Sequence, residues 1–318
     1  MSQRLPPAQG TRIAWADLPQ PVHTWVAEVL RAPVVEAVSQ QAGFSPGSAD
    51  RVLTADGVRA FVKAVSGAPN RDSPDLHRRE MRVTRSLPDG IPAPRLLAGY
   101  DDGDWVALLL EDVDGKHPVA PWLLPQVHAV LDALRALAER GTPAPVPGLR
   151  SAGEAMADLF SGWTRVAAET PPDLDSWTSA NLHQLCRLGE QGVEALAGET
   201  LCHLDVRADN ILLRADGSAV LVDWPWAARG PAWIDPLCLL LNVELYGGPD
   251  PEALIARSAA LRETKPEVLN AGLAGLAGYF VDSARRPPSP GLPTLRAFQR
   301  AQGEAALGWL RRRLRRAG

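Results

Sequence analysis

The sequence predicts an α+β chain of two lobes, an N-terminal five-stranded antiparallel sheet with a helix and a mostly helical C-terminal lobe. Three observations lead there. Short β-branched and apolar runs, separated by turn residues, dominate the chain as far as Leu110. From Trp122 onward the apolar residues recur at helical spacing. With 318 residues, 46% of them hydrophobic and 22% charged, there is enough chain for each lobe to bury its own core.

Residues 1–21 read as a flexible or loosely docked lead-in, because Pro6, Pro7, Pro19 and Pro21 discourage regular structure. The N-terminal lobe then spans 22–110. Val22 to Leu30 suits a short helix, and Val34 to Ser39 is a β-branched strand. A small-residue turn from Ala42 to Ser48 leads to a strand over Ala49 to Thr54, and Asp56-Gly57 makes a tight hairpin into Val58 to Val65. Ser73-Pro74 starts a helix in which Leu76, Glu80, Val83 and Leu87 share a face. Arg95 to Tyr100 and Trp105 to Leu110 supply the last two strands.

Residues 111–115 read as an inter-lobe connection and 116–318 as the helical lobe. Helices are expected over Pro125 to Arg140, Ala152 to Glu169, Thr178 to Leu196, Asp235 to Leu245, Pro251 to Arg262, Glu267 to Ala284 and Pro293 to Arg316. Thr170 to Asp175 and Arg286 to Pro293 are Pro-rich breaks. The arginines from Arg311 to Arg316 read as a solvated helix end that also suits the helix dipole.

Composition excludes several classes. A formal net charge of -4 and a pI near 5.9 leave no electrostatic footprint for nucleic acid. The three cysteines, Cys186, Cys202 and Cys238, have no metal-ligand spacing and suit a reducing compartment. No apolar run approaches a membrane span, and Met1 to Gly10 lacks the apolar core of a signal peptide. The expectation is a cytoplasmic protein, monomeric or weakly dimeric, with no nucleic-acid or membrane partner.

One cluster interrupts the helical pattern. Cys202 to Leu213, followed by Val222-Asp223-Trp224, reads as loop, strand, Asp216-Gly217 turn and strand. Such a hairpin brings the residue before its first strand near the residue after its second, so Asn210 and Asp223 can converge on one cation, with Asp205 beside them. Mg²⁺ takes hard oxygen ligands of this kind, often with phosphates completing its shell. In the other lobe, Lys63 alternates with Phe61 and Val65 on an apolar strand face and needs a partner there. Glu80, on the apolar stripe of the helix, points inward with it.

The spacing His203-x-Asp205, then Asn210, then Asp223, resembles the catalytic loop and metal-binding aspartate of the protein-kinase-like superfamily. The long helical insertion before it, and the short run from Trp224 to Ile234 after it, are similar to aminoglycoside phosphotransferases and their small-molecule kinase relatives. That run is too short for the peptide platform of a protein kinase. The resemblance covers most of the chain from Lys63 to Asp235. It implies ATP and Mg²⁺ as cofactors, Asp205 as the base, Asn210 and Asp223 as magnesium ligands, and Arg207 near the transferred phosphate. It makes Lys63, paired with Glu80, the holder of the α- and β-phosphates, and Ser45, Gly47 and Ser48 donors in a loop over them. The Glu111 carbonyl and Val113 N–H would face adenine, while His203 and Asp235 would brace the loop. The implied activity is phosphorylation of a hydroxyl on a small molecule, with an aminoglycoside or other antibiotic as first expectation. A sugar, amino alcohol or nucleoside is the alternative, as is a catalytically weak ATP sensor.

Overall fold

The computed structural model describes residues 12–40, 47–68, 71–289 and 292–317. Helix α1 (Gln20–Leu30) precedes strands β1 (Val34–Ser39), β2 (Ser48–Thr54) and β3 (Arg59–Ser66), then come α2 (Ser73–Arg85), β4 (Leu96–Asp101) and β5 (Trp105–Glu111). The five strands form one antiparallel sheet in the order β1-β2-β3-β5-β4. Alternation along the central β3 divides its side chains between two layers. Ala60, Val62 and Ala64 pack with Val22 and Val26 of α1, whereas Phe61 lies with Leu108, Leu110 and Met81 of α2 on the other face. Lys63 belongs to that second face, opposite Leu108 in the β3–β5 register.

Of the lead-in expected over 1–21, residues 1–11 lie outside the described residues and the part up to Pro21 is structured. Trp15–Asp17 forms a 3-10 turn, Trp15 and Leu18 pack against the sheet clusters, and α1 begins at Gln20. Pro19 is the N-cap and Pro21 lies in the first turn, where a missing N–H costs nothing, so these prolines start the helix.

The larger C-terminal core gathers α3 (Leu124–Arg140), α4 (Ala152–Phe160), α5 (Gly162–Ala168), α6 (Ser176–Glu194), α7 (Ile234–Leu245), α8 (Pro251–Ile255), α9 (Ala259–Arg262), α10 (Pro266–Ala284) and α11 (Leu295–Ala317). Two expected helices are each broken in two. The span 152–169 breaks at Ser161, whose hydroxyl bonds back to the Ala157 carbonyl at 2.9 Å. The break lets Gly162 meet α10 backbone to backbone; a Cβ there would lie 2.2 Å from the Gly278 carbonyl oxygen. The span 251–262 restarts at Ser258, which caps α9 by accepting from the Leu261 N–H. Three-residue strands β6 (Thr200–Cys202) and β9 (Ala228–Gly230) pair with each other, and β7 (Ile211–Leu213) pairs with β8 (Ala219–Leu221).

The terminal arginines depart from the solvated reading. Arg311 pairs with Asp175 at 2.6 Å and lies over the Trp177 ring; Arg312 pairs with Glu244 at 2.8 Å and Arg313 with Glu252 at 2.6 Å. They fasten α11 to the lobe; among the described residues Arg315 has no ion pair, and Arg316 approaches Glu252 at 3.7 Å. Among the described residues no helix is long and apolar enough to cross a membrane.

Candidate active site

Between the lobes lies a cleft lined by Lys63 and Glu80 from above and by Asn210 and Asp223 from below. Lys63 Nζ reaches Glu80 Oε2 at 2.5 Å and Asp223 Oδ1 at 2.7 Å, so one ammonium joins a strand, a helix and the opposite lobe. Burial alone would depress the Lys63 ammonium, but Asp223 and Glu80 push it up to about 12. Burial acts on Asp223 in the opposite sense, raising it, yet Lys63 holds the carboxylate down to about 2. Glu80, 2% exposed, also accepts from the Trp224 backbone N–H.

The loop between β6 and β7 carries Asp205. Its carboxylate accepts from Asn210 Nδ2 at 2.9 Å and stands 3.4 Å from Arg207 Nε, with Arg207 also pairing with Asp209 at 2.9 Å. With Nδ2 turned to Asp205, the Asn210 amide oxygen is the end left for a cation. The Val222 N–H donates to the Asn210 carbonyl at 2.9 Å, which sets Asp223 beside it. Asn210 and Asp223 together offer two hard oxygen donors, the number Mg²⁺ uses when phosphates and water complete its shell, so the residues fit that ion. Among the described residues no group of three His, Cys, Asp or Glu forms a separate metal site. The Asp205 side chain is 23% exposed and lines the space beside the cleft that Glu80 and Asp223 also line. Burial pushes its carboxyl up to about 6, with Arg207 opposing and Asp209 and Asp223 adding repulsion.

Beneath the loop, Asp235 at the start of α7 accepts from the backbone N–H groups of His203 at 2.7 Å and Leu204 at 2.8 Å. His203 is fully buried, edge-on to Trp224, with Nε2 3.0 Å from the Val222 carbonyl and Nδ1 3.2 Å from the Asp205 N–H. These contacts assign Nε2–H as the donor and Nδ1 as the acceptor. The ring therefore links the loop to the segment bearing Asp223. Leu204 and Asp223 have φ of 63° and 70°, a left-handed strain that the surrounding hydrogen bonds hold.

At the inter-lobe connection, Glu111 and Val113 line the cleft alongside Phe61, Leu110 and Leu212. Arg51 donates to the Val113 carbonyl at 2.6 Å, and Arg51 and Arg59 both pair with Asp112. Gly47 is left-handed at φ 116°, and Ser48 is buried with its hydroxyl bonded to Asp50; neither lines the cavity. Ser45 lies outside the described residues.

Among the residues that escaped the sequence reading are Arg12 in the cleft and His77 beside it. Arg12 lines it near Asp223 and Asp50, brought there by the Ile13 N–H donating to the Gly47 carbonyl at 3.1 Å. His77 of α2 is buried beside Lys63, its Nδ1 3.0 Å from the Ser73 carbonyl. Burial, reinforced by the Lys63 charge, drives its imidazole down to about 3 and keeps it neutral. A polar helix gave His77 no signal, and the prolines around Arg12 pointed to a loose tail.

A five-stranded sheet and a helical lobe with a hairpin at the cleft floor define a kinase-like phosphotransferase architecture. The chain belongs to the phosphotransferase enzyme family (APH), whose family model matches residues 43–278. Among solved structures, an aminoglycoside phosphotransferase from Alicyclobacillus acidocaldarius is 17% identical with a TM-score of 0.53, covering 94% of this chain and 97% of its own. A thermostable variant of the aminoglycoside phosphotransferase APH(4)-Ia, in ternary complex with ADP and hygromycin B, is 15% identical with a TM-score of 0.59, covering 92% and 98%. The choline kinase LicA from Streptococcus pneumoniae is 12% identical with a TM-score of 0.60, covering 91% and 98%. No curated protein sequence matches the chain.

Proposed function

We propose that the protein is an ATP-dependent O-phosphotransferase that phosphorylates a hydroxyl of a small molecule. The observation that carries this reading is the Lys63–Glu80 pair of the upper lobe meeting Asp223 of the lower lobe across the cleft, with Asn210 beside Asp223 and hydrogen-bonded to Asp205. Nucleotide binding is supported by the family and by the ADP complex of the APH(4)-Ia variant. The lobe over 22–110 would hold the nucleotide, the segment 111–115 would present the Glu111 carbonyl and Val113 N–H to the base, and 116–318 would carry catalysis and acceptor.

Phosphoryl transfer needs alignment and charge stabilisation more than covalent help. Asn210 and Asp223 would hold Mg²⁺, which supplies neutralisation of charge on the phosphates. Lys63 contacts the phosphates, positioned by Glu80. Asp205 accepts the proton of the acceptor hydroxyl as its oxygen bonds to the γ-phosphorus and the bond to the β-phosphate oxygen breaks, releasing ADP. Arg207, held by Asp205 and Asp209, faces the transferred group. His203 and Asp235 keep the loop in place.

The family resemblance makes an aminoglycoside or other antibiotic the first acceptor to test, with a sugar, amino alcohol or nucleoside next. Purified protein should be incubated with MgATP and such a panel, and each compound weighed by mass spectrometry. One acceptor is expected to gain a phosphoryl group. Asp205→Asn is expected to lower turnover by about 10²–10⁴-fold while AMP-PNP affinity stays near wild type. Asp223→Asn is expected to remove the Mg²⁺ dependence of AMP-PNP binding. Equal turnover by wild type and Asp205→Asn would reject the mechanism, and nucleotide binding without any turnover would favour a sensor.

A further inference from the structure

A second cavity, of 240 Å³, opens from Asp205 and Arg207 into the helical lobe, away from the nucleotide cleft. Met156 and Leu159 of α4, Leu241 and Leu245 of α7, and Leu276 and Phe280 of α10 make its walls apolar. Among the described residues its one acidic lining residue is Asp205, whose charge is already opposed by Arg207. Among the described residues the cavity itself holds no other carboxylate for a polycation, whereas the adjoining space in front of Asp205 is also lined by Asp72, Asp75, Glu80 and Asp223.

The cations are arranged differently. Arg150, just before α4, lines the cavity half-buried and has neither an ion pair nor a side-chain hydrogen bond among the described residues. Glu154, the nearest acid acting on it, is engaged in capping α4, accepting from the Ser151 N–H at 2.7 Å and its hydroxyl at 2.8 Å. Arg79 of α2 lines the adjoining space in front of Asp205, also without an ion pair among the described residues, and its charge bears on Arg150. Burial and this like charge both disfavour the Arg150 cation. Gln302 of α11 also lines the cavity, only 7% exposed, and its amide has no hydrogen-bond partner among the described residues. A half-buried cation left this way is costly unless something else meets it, and the Gln302 amide is open to the cavity to offer a further hydrogen bond.

We propose that the acceptor is an alcohol carrying an anionic group, a carboxylate or a phosphate, on a largely apolar body. Arg150 receives the anion, Gln302 meets a second polar group, and Asp205 meets the hydroxyl. This rests on the phosphotransferase reading and narrows it, moving polycationic aminoglycosides behind hydroxy acids and hydroxyalkyl phosphates.

The test is calorimetric titration of the full chain, in the presence of Mg²⁺ and AMP-PNP, with aromatic and branched hydroxy acids, matched hydroxyalkyl phosphates, the neutral esters of both, and hygromycin B. At least one anion should bind about tenfold or more tightly than its ester. The two anion series separate carboxylate from phosphate. Arg150→Gln should abolish that preference and Arg150→Lys should restore part of it, with AMP-PNP affinity equal in all three proteins. Esters binding as well as anions, hygromycin B binding better, an unchanged preference in Arg150→Gln, or no anion binding while AMP-PNP binds would each overturn the inference. Failure of AMP-PNP itself to bind would instead overturn the phosphotransferase reading.

Discussion

As the proposed base, Asp205 must be ionised to accept a proton, yet its surroundings favour the protonated form. With its carboxyl raised to about 6 by burial, the folded chain retains a proton there that the unfolded chain has already released. The folded state thus binds more protons between the unfolded value of about 4 and the folded value, so stability falls as pH rises through that window and levels off above it. Two outcomes follow at this scale. Turnover should rise with pH through about 6, and a profile that is flat there removes Asp205 as the base. Asp205→Asn, despite its lowered turnover, should be more stable than wild type at pH 7 by about 1–3 kcal/mol, read as a higher urea midpoint; a lower midpoint would mean that the ionised carboxylate stabilises its loop. The aspartates and asparagine were legible in the sequence because spacing alone sets them around a hairpin. The pairing of Arg207 with two of them was not, since spacing does not say which way a long side chain turns.

Helix α10 shows what periodicity can and cannot convey. Its apolar composition marked a helix over Glu267 to Ala284, and the structure gives Pro266–Ala284. What it packs against depends on Gly272, Gly275 and Gly278, three residues apart, where added Cβ atoms would lie 2.7 Å from Trp233, 2.2 Å from Phe160 and 2.6 Å from Trp163. The glycines lower helix propensity by about 1 kcal/mol each, and close aromatic contact offsets that cost. Gly275→Ala should therefore destabilise the fold by about 1–3 kcal/mol despite the better helix former, and a stabilised variant in chemical denaturation would contradict the contact. The same close approach explains why one expected helix became α4 and α5: the pattern was continuous, but Gly162 has to reach the α10 backbone.

Across the whole molecule, the two-lobe plan was readable from where strand periods give way to helical ones. The register that joins the lobes came only with the structure. Lys63 is the ammonium through which the sheet, α2 and the helical lobe meet. Lys63→Met would leave Glu80 and Asp223 buried without their cation, and should cost about 3–5 kcal/mol at pH 7. The loss should shrink toward pH 4 as those carboxylates take up protons; a pH-independent loss would assign it to packing alone. The glycine row of α10 has a broader consequence. Every single-base change at a glycine codon that alters the residue adds a side chain, so nearly all spontaneous missense variants at these three positions are oversized. A mutational scan scored by growth would mark that helix as intolerant as the catalytic loop, and only a parallel readout of protein abundance would separate positions that hold the molecule together from those that perform its reaction.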